Sequence, residues 1–359
     1  MKNTLIAIVG NTGVGKSQLA VELARKLNGE IINGDSMQMY RGLDVITNKH
    51  PMKERMGVPH HLLGHIEWDK QYTVTQFEKE VTGLVDDMEK RSKIPILVGG
   101  THYYIQSIIA ENSTIGQRES PKRNLTAEEE QILDNPAQVE KELKQIDPVI
   151  ASKFHPNDTR RLRRALEVFY TTGQRPSEIY QEQSECTTKL RYNVLVFWIY
   201  CQRDVLNERL DTRVDAMLEA GLMDEINELY GEWEGGKNAE GQGVWQVLGF
   251  KQFLPYLSKE VPTPDSSVAA MKSETRQYAK KQTKWIINKL TPQLQKLGGT
   301  MAVLDSTDLD NWQENVADRA VDIARDWLSG EQIKQRLVPE HIDAQRKQQE
   351  FSRDQWGSP

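Results

Sequence analysis

The sequence predicts an α/β protein: a parallel sheet core, interrupted by an inserted helical domain and followed by C-terminal helices. Three observations predict it. First, the apolar run Leu5-Ile6-Ala7-Ile8-Val9 reads as a buried strand, and at 18–27 Leu19, Ala20, Leu23, Ala24 and Leu27 recur at helical spacing. Second, between the two stands Gly10-Asn11-Thr12-Gly13-Val14-Gly15-Lys16-Ser17, the pattern G-x-x-x-x-G-K-[ST]. Strand, glycine turn and helix form the context in which that pattern is a phosphate loop. Third, buried-strand runs at 94–98 and 193–200 are separated by a stretch, 126–182, whose periodic segments are all helical. The core is therefore expected to be P-loop NTPase-like. The expected divisions are 1–112 (first part of the core), 113–190 (helical insertion), 191–329 (second part of the core with C-terminal helices) and 330–359 (polar tail).

The loop itself carries chemistry. Its glycines let backbone N–H groups turn inward, and the helix that follows adds a partial positive charge. Lys16 adds a full charge, and Ser17 offers a hydroxyl to Mg²⁺. A ligand with two or more phosphates is expected at 12–17, but the loop alone does not say whether a phosphoryl group moves or the phosphates leave as a unit.

Taken in order, 30–33 reads as a second strand ending in Gly34-Asp35-Ser36-Met37-Gln38-Met39-Tyr40. An aspartate just past a strand end faces the crevice where open α/β sheets bind ligands. Residues 45–72 are loop-like, and 75–90 forms an amphipathic helix with Phe77, Val81, Leu84, Val85 and Met88 on one face. Strand 94–98 ends in Gly99-Gly100-Thr101-His102-Tyr103-Tyr104, opening a helix to 109. Helices are expected at 127–134, 136–146, 157–172 and 176–183, a strand at 193–200, and helices at 203–221 and 224–233. A flexible loop at 235–243 precedes helices at 244–257 and 266–290, a strand at 302–305 and a closing helix at 309–328; beyond 329 the tail is helical or frayed.

Composition limits the function classes. With 38% hydrophobic and 27% charged residues, the 359-residue chain reads as globular with a solvated surface. No run of 18 apolar residues exists, so no membrane partner is expected. No leader pattern is visible, which makes the cytosol the expected compartment, with nuclear or mitochondrial pools left open. Cys186 and Cys201 form no C-x-x-C, and His60, His61 and His65 read as a polar loop rather than metal ligands. The net charge of −6 means that any nucleic-acid contact needs a local patch. Two stretches offer one. Lys153, Arg160, Arg161, Arg163 and Arg164 face Asp158 alone, and Lys272, Arg276, Lys280, Lys281, Lys284 and Lys289 face Glu274 alone. The arginine run also fits a solvated helix face, and Tyr278 and Trp285 fit core packing as well as stacking.

An ordinary P-loop ATPase ends a later strand in an aspartate for Mg²⁺. Here that strand ends in Gly99-Gly100-Thr101, which leaves Asp35 as the best placed acid. On spacing alone Asp35 also fits a turn or cap, and Thr101 also fits a helix N-cap.

Taken together, these residues resemble the tRNA dimethylallyltransferase (tRNA isopentenyltransferase) family. The matching stretches are the loop 10–17, Asp35 to Tyr40, Pro59-His60-His61, 95–104 and His155-Pro156-Asn157-Asp158. They continue with 160–167, Arg213-Val214-Asp215-Ala216-Met217-Leu218-Glu219-Ala220-Gly221, 243–251 and Thr275-Arg276-Gln277-Tyr278-Ala279-Lys280-Lys281-Gln282. The resemblance runs in order over 4–328, and Met37-Gln38 with Thr101-His102-Tyr103-Tyr104 look like the eukaryotic, fungal-type branch.

The resemblance implies transfer of a dimethylallyl group from dimethylallyl diphosphate to N6 of adenosine 37 in the anticodon loop of tRNA. It implies that Thr12, Gly13, Val14, Gly15, Lys16, Ser17 and Arg213 bind the donor, with Mg²⁺ beside Ser17. Asp35 would take the amine proton, Thr101 would orient the reacting centre, and Arg213 would stabilise the leaving diphosphate. Asp35, Ser36, Met37, Gln38, Thr101, Arg160, Arg161, Arg163, Arg164, Gln246, Lys280, Lys281, Gln282 and Lys284 would contact tRNA, with the insertion clamping the anticodon stem-loop of a base-flipped substrate. A monomer is expected. Eukaryotic members commonly append a C2H2 zinc finger, and neither cysteine lies where it would start. Two other readings stay open at this point. A P-loop small-molecule kinase would use Asp35 to activate a hydroxyl and need no basic stretches, and a non-catalytic RNA-binding protein would bind tRNA without turnover.

Overall fold

A computed structural model describes residues 4–111, 123–185, 189–237, 243–331 and 333. The chain divides into two compact units, one of residues 1–109 and 190–359 and the other of 110–189.

The first unit is built on a parallel sheet. Its strands, in chain order, are β1 (Thr4–Gly10), β2 (Gly29–Asn33), β3 (His60–His61), β4 (Ile94–Val98), β5 (Asn193–Tyr200) and β6 (Thr300–Asp305). They lie side by side as β3-β2-β4-β1-β5-β6. β1 is central, with Ile6 paired to Ile96 on one side and to Leu195 on the other. Both faces are covered, which explains why the strands read as unbroken apolar runs. Ile6, Ile8, Phe197 and Ile199 pack on α1 (Lys16–Leu27) and a C-terminal helix, while Leu5, Ala7, Val9, Val196 and Trp198 pack on the other face. That second face meets α2 (Val74–Lys90) and α3 (His102–Ile109). The strand order turns outward in both directions from β1, so the loop after β1 opens at the crevice where such sheets bind ligands.

The second unit holds α4 (Ala127–Leu133), α5 (Pro136–Ile146), α6 (Pro148–Lys153), α7 (Thr159–Thr172) and α8 (Pro176–Glu185). Leu133, Leu143, Ile150, Leu162 and Leu166 form its own core. Back in the first unit follow α9 (Arg203–Glu219), α10 (Leu222–Glu232), α11 (Phe250–Leu257), α12 (Asp265–Trp285), α13 (Thr291–Leu297) and α14 (Arg319–Ser329). Tyr40, Ile46, Val214, Met217, Phe250 and Met271 gather α9 to α12 and the 40–46 segment into a further cluster. No helix of the described residues is long and apolar enough to cross a membrane.

Several expectations from sequence are corrected. The loop 45–72 contains β3, held at the sheet edge because Ile31 donates to Pro59 and His61 bonds Glu30. Glu30 is itself clamped by Arg91, which holds its carboxyl down to about 2. The helix expected at 244–257 is a 3-10 turn (Gly243–Gln246), then α11, with Gly249 between them at φ +113°. The helix expected to stop at 290 continues through a widened turn, Ile286–Leu290, into α13. Pro292 lacks the N–H that a regular turn needs, and the wider turn accommodates it. At 235–243, where a loop is expected, Gly236 takes a left-handed conformation at φ +80° that kinks the chain out of the helix after α10, and 238–242 lie outside the described residues. The closing helix begins at 312 rather than 309. Cys186 and the tail from 334 also lie outside the described residues, while Cys201 is a buried free thiol.

Candidate active site

The loop between β1 and α1 is held from three sides. Asn11 is buried and donates to the Ala279 carbonyl and, at 2.7 Å, to the Thr283 hydroxyl, both on α12. The N–H of Thr12 donates to Gln282 Oε1 at 2.8 Å, while its hydroxyl receives Arg213 Nη1 from α9 at 2.7 Å. Gly15 opens α1 at φ +88°, and a Cβ there would lie 2.3 Å from the ring of Trp312. Only glycine fits this position, for both reasons.

Lys16 is half-buried at the start of α1, and its ammonium donates to the Asn11 carbonyl at 2.6 Å. Burial lowers its pKa to about 8, against the opposing pull of Asp35. Val14 is buried and Gly13 exposed, and Ser17 follows Lys16 on the first turn. Burial also lowers Arg213, to about 10, with Asp35 opposing. The Arg213 Nε is buried with no hydrogen-bond partner.

The acid sits across from this cradle. The N–H of Asp35 donates to Asn33 Oδ1 at 3.1 Å, and its carboxylate accepts the Met37 N–H at 3.1 Å. Burial pushes its pKa up, and the N–H groups of Met37, Gln38 and Gly100, with Lys16, pull against that. Thr101 Oγ1 accepts the Ser36 N–H at 3.0 Å and lies 3.1 Å from Ser36 Oγ, so the ends of β2 and β4 are tied together. A Cβ on Gly100 would lie 2.9 Å from Asp35 Oδ2 and 2.7 Å from Gln282 Nε2. The acid, the Gly100 turn and α12 therefore meet at one place.

Sequence reasoning does not assign several members of this site to it. His102 is buried, accepts the Gly10 N–H at 3.4 Å, and is held down to about 3 by burial and by Lys16. It is a neutral acceptor. Tyr278 donates to the Gly100 carbonyl at 3.3 Å, and burial raises its pKa. Asn11 and Trp312 complete the set. The only sequence signal was position: Asn11 lies inside the loop motif and His102 follows Gly-Gly-Thr.

The residues expected to contact RNA fall into distinct surroundings. Met37 and Gln38 lie in a 3-10 turn, Met37–Met39, and Gln38 Nε2 donates to the carbonyls of Thr47 and Asn48 at 3.0 and 3.1 Å. Gln246 is half-buried in the 3-10 turn beside Val244 and Trp245. On α7, Leu162, Ala165 and Leu166 are buried as the core face. Around them Arg161 pairs with Asp158, Arg163 with Asp134 and Arg164 with Glu167, and Arg160 is exposed. On α12, Lys280 and Lys284 are exposed, and Lys281 pairs with Glu274 at 3.3 Å. Lys272 and Arg276 pair with Asp215 and Asp211 of α9, so the cationic stretch is partly neutralised within the fold. Trp285 donates to Gln106 at 3.0 Å and packs edge-on against Tyr103. Gln282 corrects the sequence reading: it is 3% exposed, and its side chain bonds Thr12 and Gly100 rather than facing solvent.

For a metal, the described residues contain no cluster of three histidine, cysteine or acidic side chains. Ser17, half-buried on the first turn of α1, offers a hydroxyl of the kind that suits an ion whose other ligands come from a bound diphosphate.

The chain matches the family model described as IPP transferase over residues 38–289. It is 44% identical to the tRNA dimethylallyltransferase of Saccharomyces cerevisiae, over 96% of this chain and 80% of that one. It is 35% identical to the human tRNA dimethylallyltransferase, over 91% of this chain and 75% of that one. Among solved structures it resembles a eukaryotic dimethylallyltransferase acting on tRNA, with TM-score 0.83 and 42% identity over 95% of this chain and 83% of that one. It also resembles the tRNA isopentenylpyrophosphate transferase of Bacillus halodurans, with TM-score 0.62 and 32% identity over 92% of this chain and 96% of that one.

Proposed function

This chain belongs to the tRNA dimethylallyltransferase family, and on that premise we propose how its residues carry the transfer. The reaction moves a dimethylallyl group from dimethylallyl diphosphate to N6 of adenosine 37 in tRNA and releases diphosphate. The single observation that carries the residue assignment is the convergence of Thr12, Gly100, Asp35 and Gln282 at the crevice above β1.

The donor's diphosphate lies in the cradle of Thr12, Gly13, Val14, Gly15, Lys16 and Ser17. As the allylic C–O bond breaks, negative charge grows on the leaving oxygen. Lys16, Arg213 and the loop N–H groups stabilise that charge because they are already fixed in a partly desolvated place. The unpartnered Nε of Arg213 is a buried donor that a diphosphate oxygen would satisfy. Mg²⁺ held by Ser17 and the diphosphate's own oxygens would add Lewis-acid stabilisation of the same leaving group.

The adenine amine is a weak nucleophile, since its lone pair is delocalised into the ring. Asp35 accepts a hydrogen bond from N6 and takes its proton as the new C–N bond forms. Burial raises the basicity of this carboxylate, which suits that task. Thr101 and Ser36 hold the acid's strand end in register with the Gly100 turn. Ser36, Met37 and Gln38 line the base side, and Gln246 contacts the anticodon loop. Lys280, Lys281 and Lys284, with Arg160, Arg161, Arg163 and Arg164 of the helical unit, contact the tRNA backbone. The helical unit clamps the anticodon stem-loop. The protein acts as a monomer in the cytosol.

The test is direct. Incubate the protein with dimethylallyl diphosphate and unmodified tRNA, and analyse the nucleosides by mass. A prenylated adenosine that disappears in Asp35→Ala is expected. Phosphate transfer from ATP without prenylation would replace this reading with a kinase, and tight tRNA binding without turnover would leave an RNA-binding protein.

A further inference from the structure

We propose that Gln282 is a positioning residue that sets the donor cradle and the base-side turn at a fixed separation, so that the allylic carbon and the adenine amine meet in line. The inference rests on the reaction assigned above.

Gln282 stands within α12, among exposed lysines, yet is 3% exposed. Its amide has two partners from opposite halves of the site. Oε1 accepts the N–H of Thr12, which begins the cradle, at 2.8 Å, and Nε2 donates to the carbonyl of Gly100, which precedes Thr101, at 3.0 Å. Chemistry fixes the amide's orientation, because the flipped form would set donor against donor and oxygen against oxygen. Tyr278, one turn earlier, donates to the same Gly100 carbonyl, and Asn11 ties the cradle to Ala279 and Thr283 on the same helix. The Asp35 carboxylate lies on the same side of Gly100 as the amide. One buried side chain therefore bridges the loop that holds the leaving group and the turn beside the acid.

A bridge of this kind matters to the chemical step more than to binding. Each half-site keeps its own ligands if the bridge is lost: Lys16 and Arg213 for the diphosphate, exposed cations for the RNA. What is lost is their mutual placement, and a shift of about 1 Å between reacting groups costs on the order of a hundredfold in rate. No group reacts at Gln282 itself.

The experiment compares wild type, Gln282→Met and Gln282→Glu, using dimethylallyl diphosphate with unmodified tRNA, and inorganic diphosphate as a binding probe. Gln282→Met keeps the volume and removes both hydrogen bonds. Gln282→Glu keeps the acceptor for Thr12 and removes the donor for Gly100. Both variants are expected to lower kcat by roughly 10–100-fold, with the KM for each substrate and the Kd for diphosphate within about threefold of wild type. An unchanged kcat overturns the proposal. So does a raised tRNA KM with kcat kept, which would return Gln282 to the RNA contacts, and so does a loss matched by the unfolded fraction in both variants. A wild-type protein that prenylates no tRNA overturns the reaction assignment as well, and is recognised by the activity of no variant or parent.

Discussion

Arg213 donates to the hydroxyl of Thr12 at 2.7 Å although 201 residues separate them in sequence. The contact joins α9 to the loop between β1 and α1 and holds a guanidinium beside it. Thr12 thereby accepts from Arg213 at its hydroxyl oxygen and donates its backbone N–H to Gln282, which leaves its hydroxyl hydrogen available to a ligand.

Arg213→Gln should lower kcat/KM for the donor by about 10²–10³-fold, the usual effect of removing one fixed donor to a developing oxyanion. Arg213→Lys should recover only part of this, because an ammonium cannot span Thr12 and a diphosphate oxygen at once. Steady-state kinetics with varied donor, beside filter binding of tRNA, checks both points, and the tRNA affinity should stay near wild type.

The pH profile of kcat/KM for the donor should be bell-shaped. In the free protein burial holds Lys16 at about 8, so above that pH the cradle loses its full positive charge and donor capture weakens. On the acid side Asp35 must be ionised, and burial raises its pKa, so the rising limb should lie above the ordinary carboxylate range. Bound diphosphate favours the charged lysine, and the basic limb of kcat should therefore shift to higher pH than that of kcat/KM. The two groups lie close enough to affect each other, so the limbs report the pair.

Gly15→Ala combines two penalties. The backbone is left-handed at φ +88°, and the new methyl would lie 2.3 Å from the buried Trp312 ring, so the ring must shift. A cost of about 2–4 kcal/mol is expected from strain and overpacking together, read as a lower denaturation midpoint in urea. The donor KM should rise, since Gly15 sets the path into Lys16.

Lys280 and Lys284 are exposed on α12, whereas Lys272 and Arg276 are spent on acids of α9. Lys280→Ala and Lys284→Ala should each weaken tRNA binding and reduce the slope of log affinity against log salt by about one. Lys272→Ala should leave that slope unchanged. Binding titrations over a range of salt concentrations separate the two classes.

Much of the fold was legible because local and global signals agree at β1 and α1. An apolar run buried on both faces, a glycine turn and a helical repeat point to one arrangement, and Asp35 follows from its place past β2. The rest depends on tertiary facts. Gln282 sits among lysines in a helix that reads as a surface, and only the packing of α12 on the loop shows that its face is inward. β3 is two residues long and is held by pairing to β2, which leaves no alternation to read. Trp312 belongs to no motif, and its contact with Gly15 appears only when the C-terminal part of the chain folds back on α1.

The account centres on Asp35 as the group that takes the amine proton beside a fixed donor cradle. The most direct measurement is the single-turnover rate of prenyl transfer by Asp35→Asn, which keeps the shape and removes the base, at saturating donor and tRNA. The account predicts a rate lower by about 10²–10⁴-fold, with the affinity for diphosphate close to that of wild type. A variant that transfers the group at the wild-type rate would contradict it.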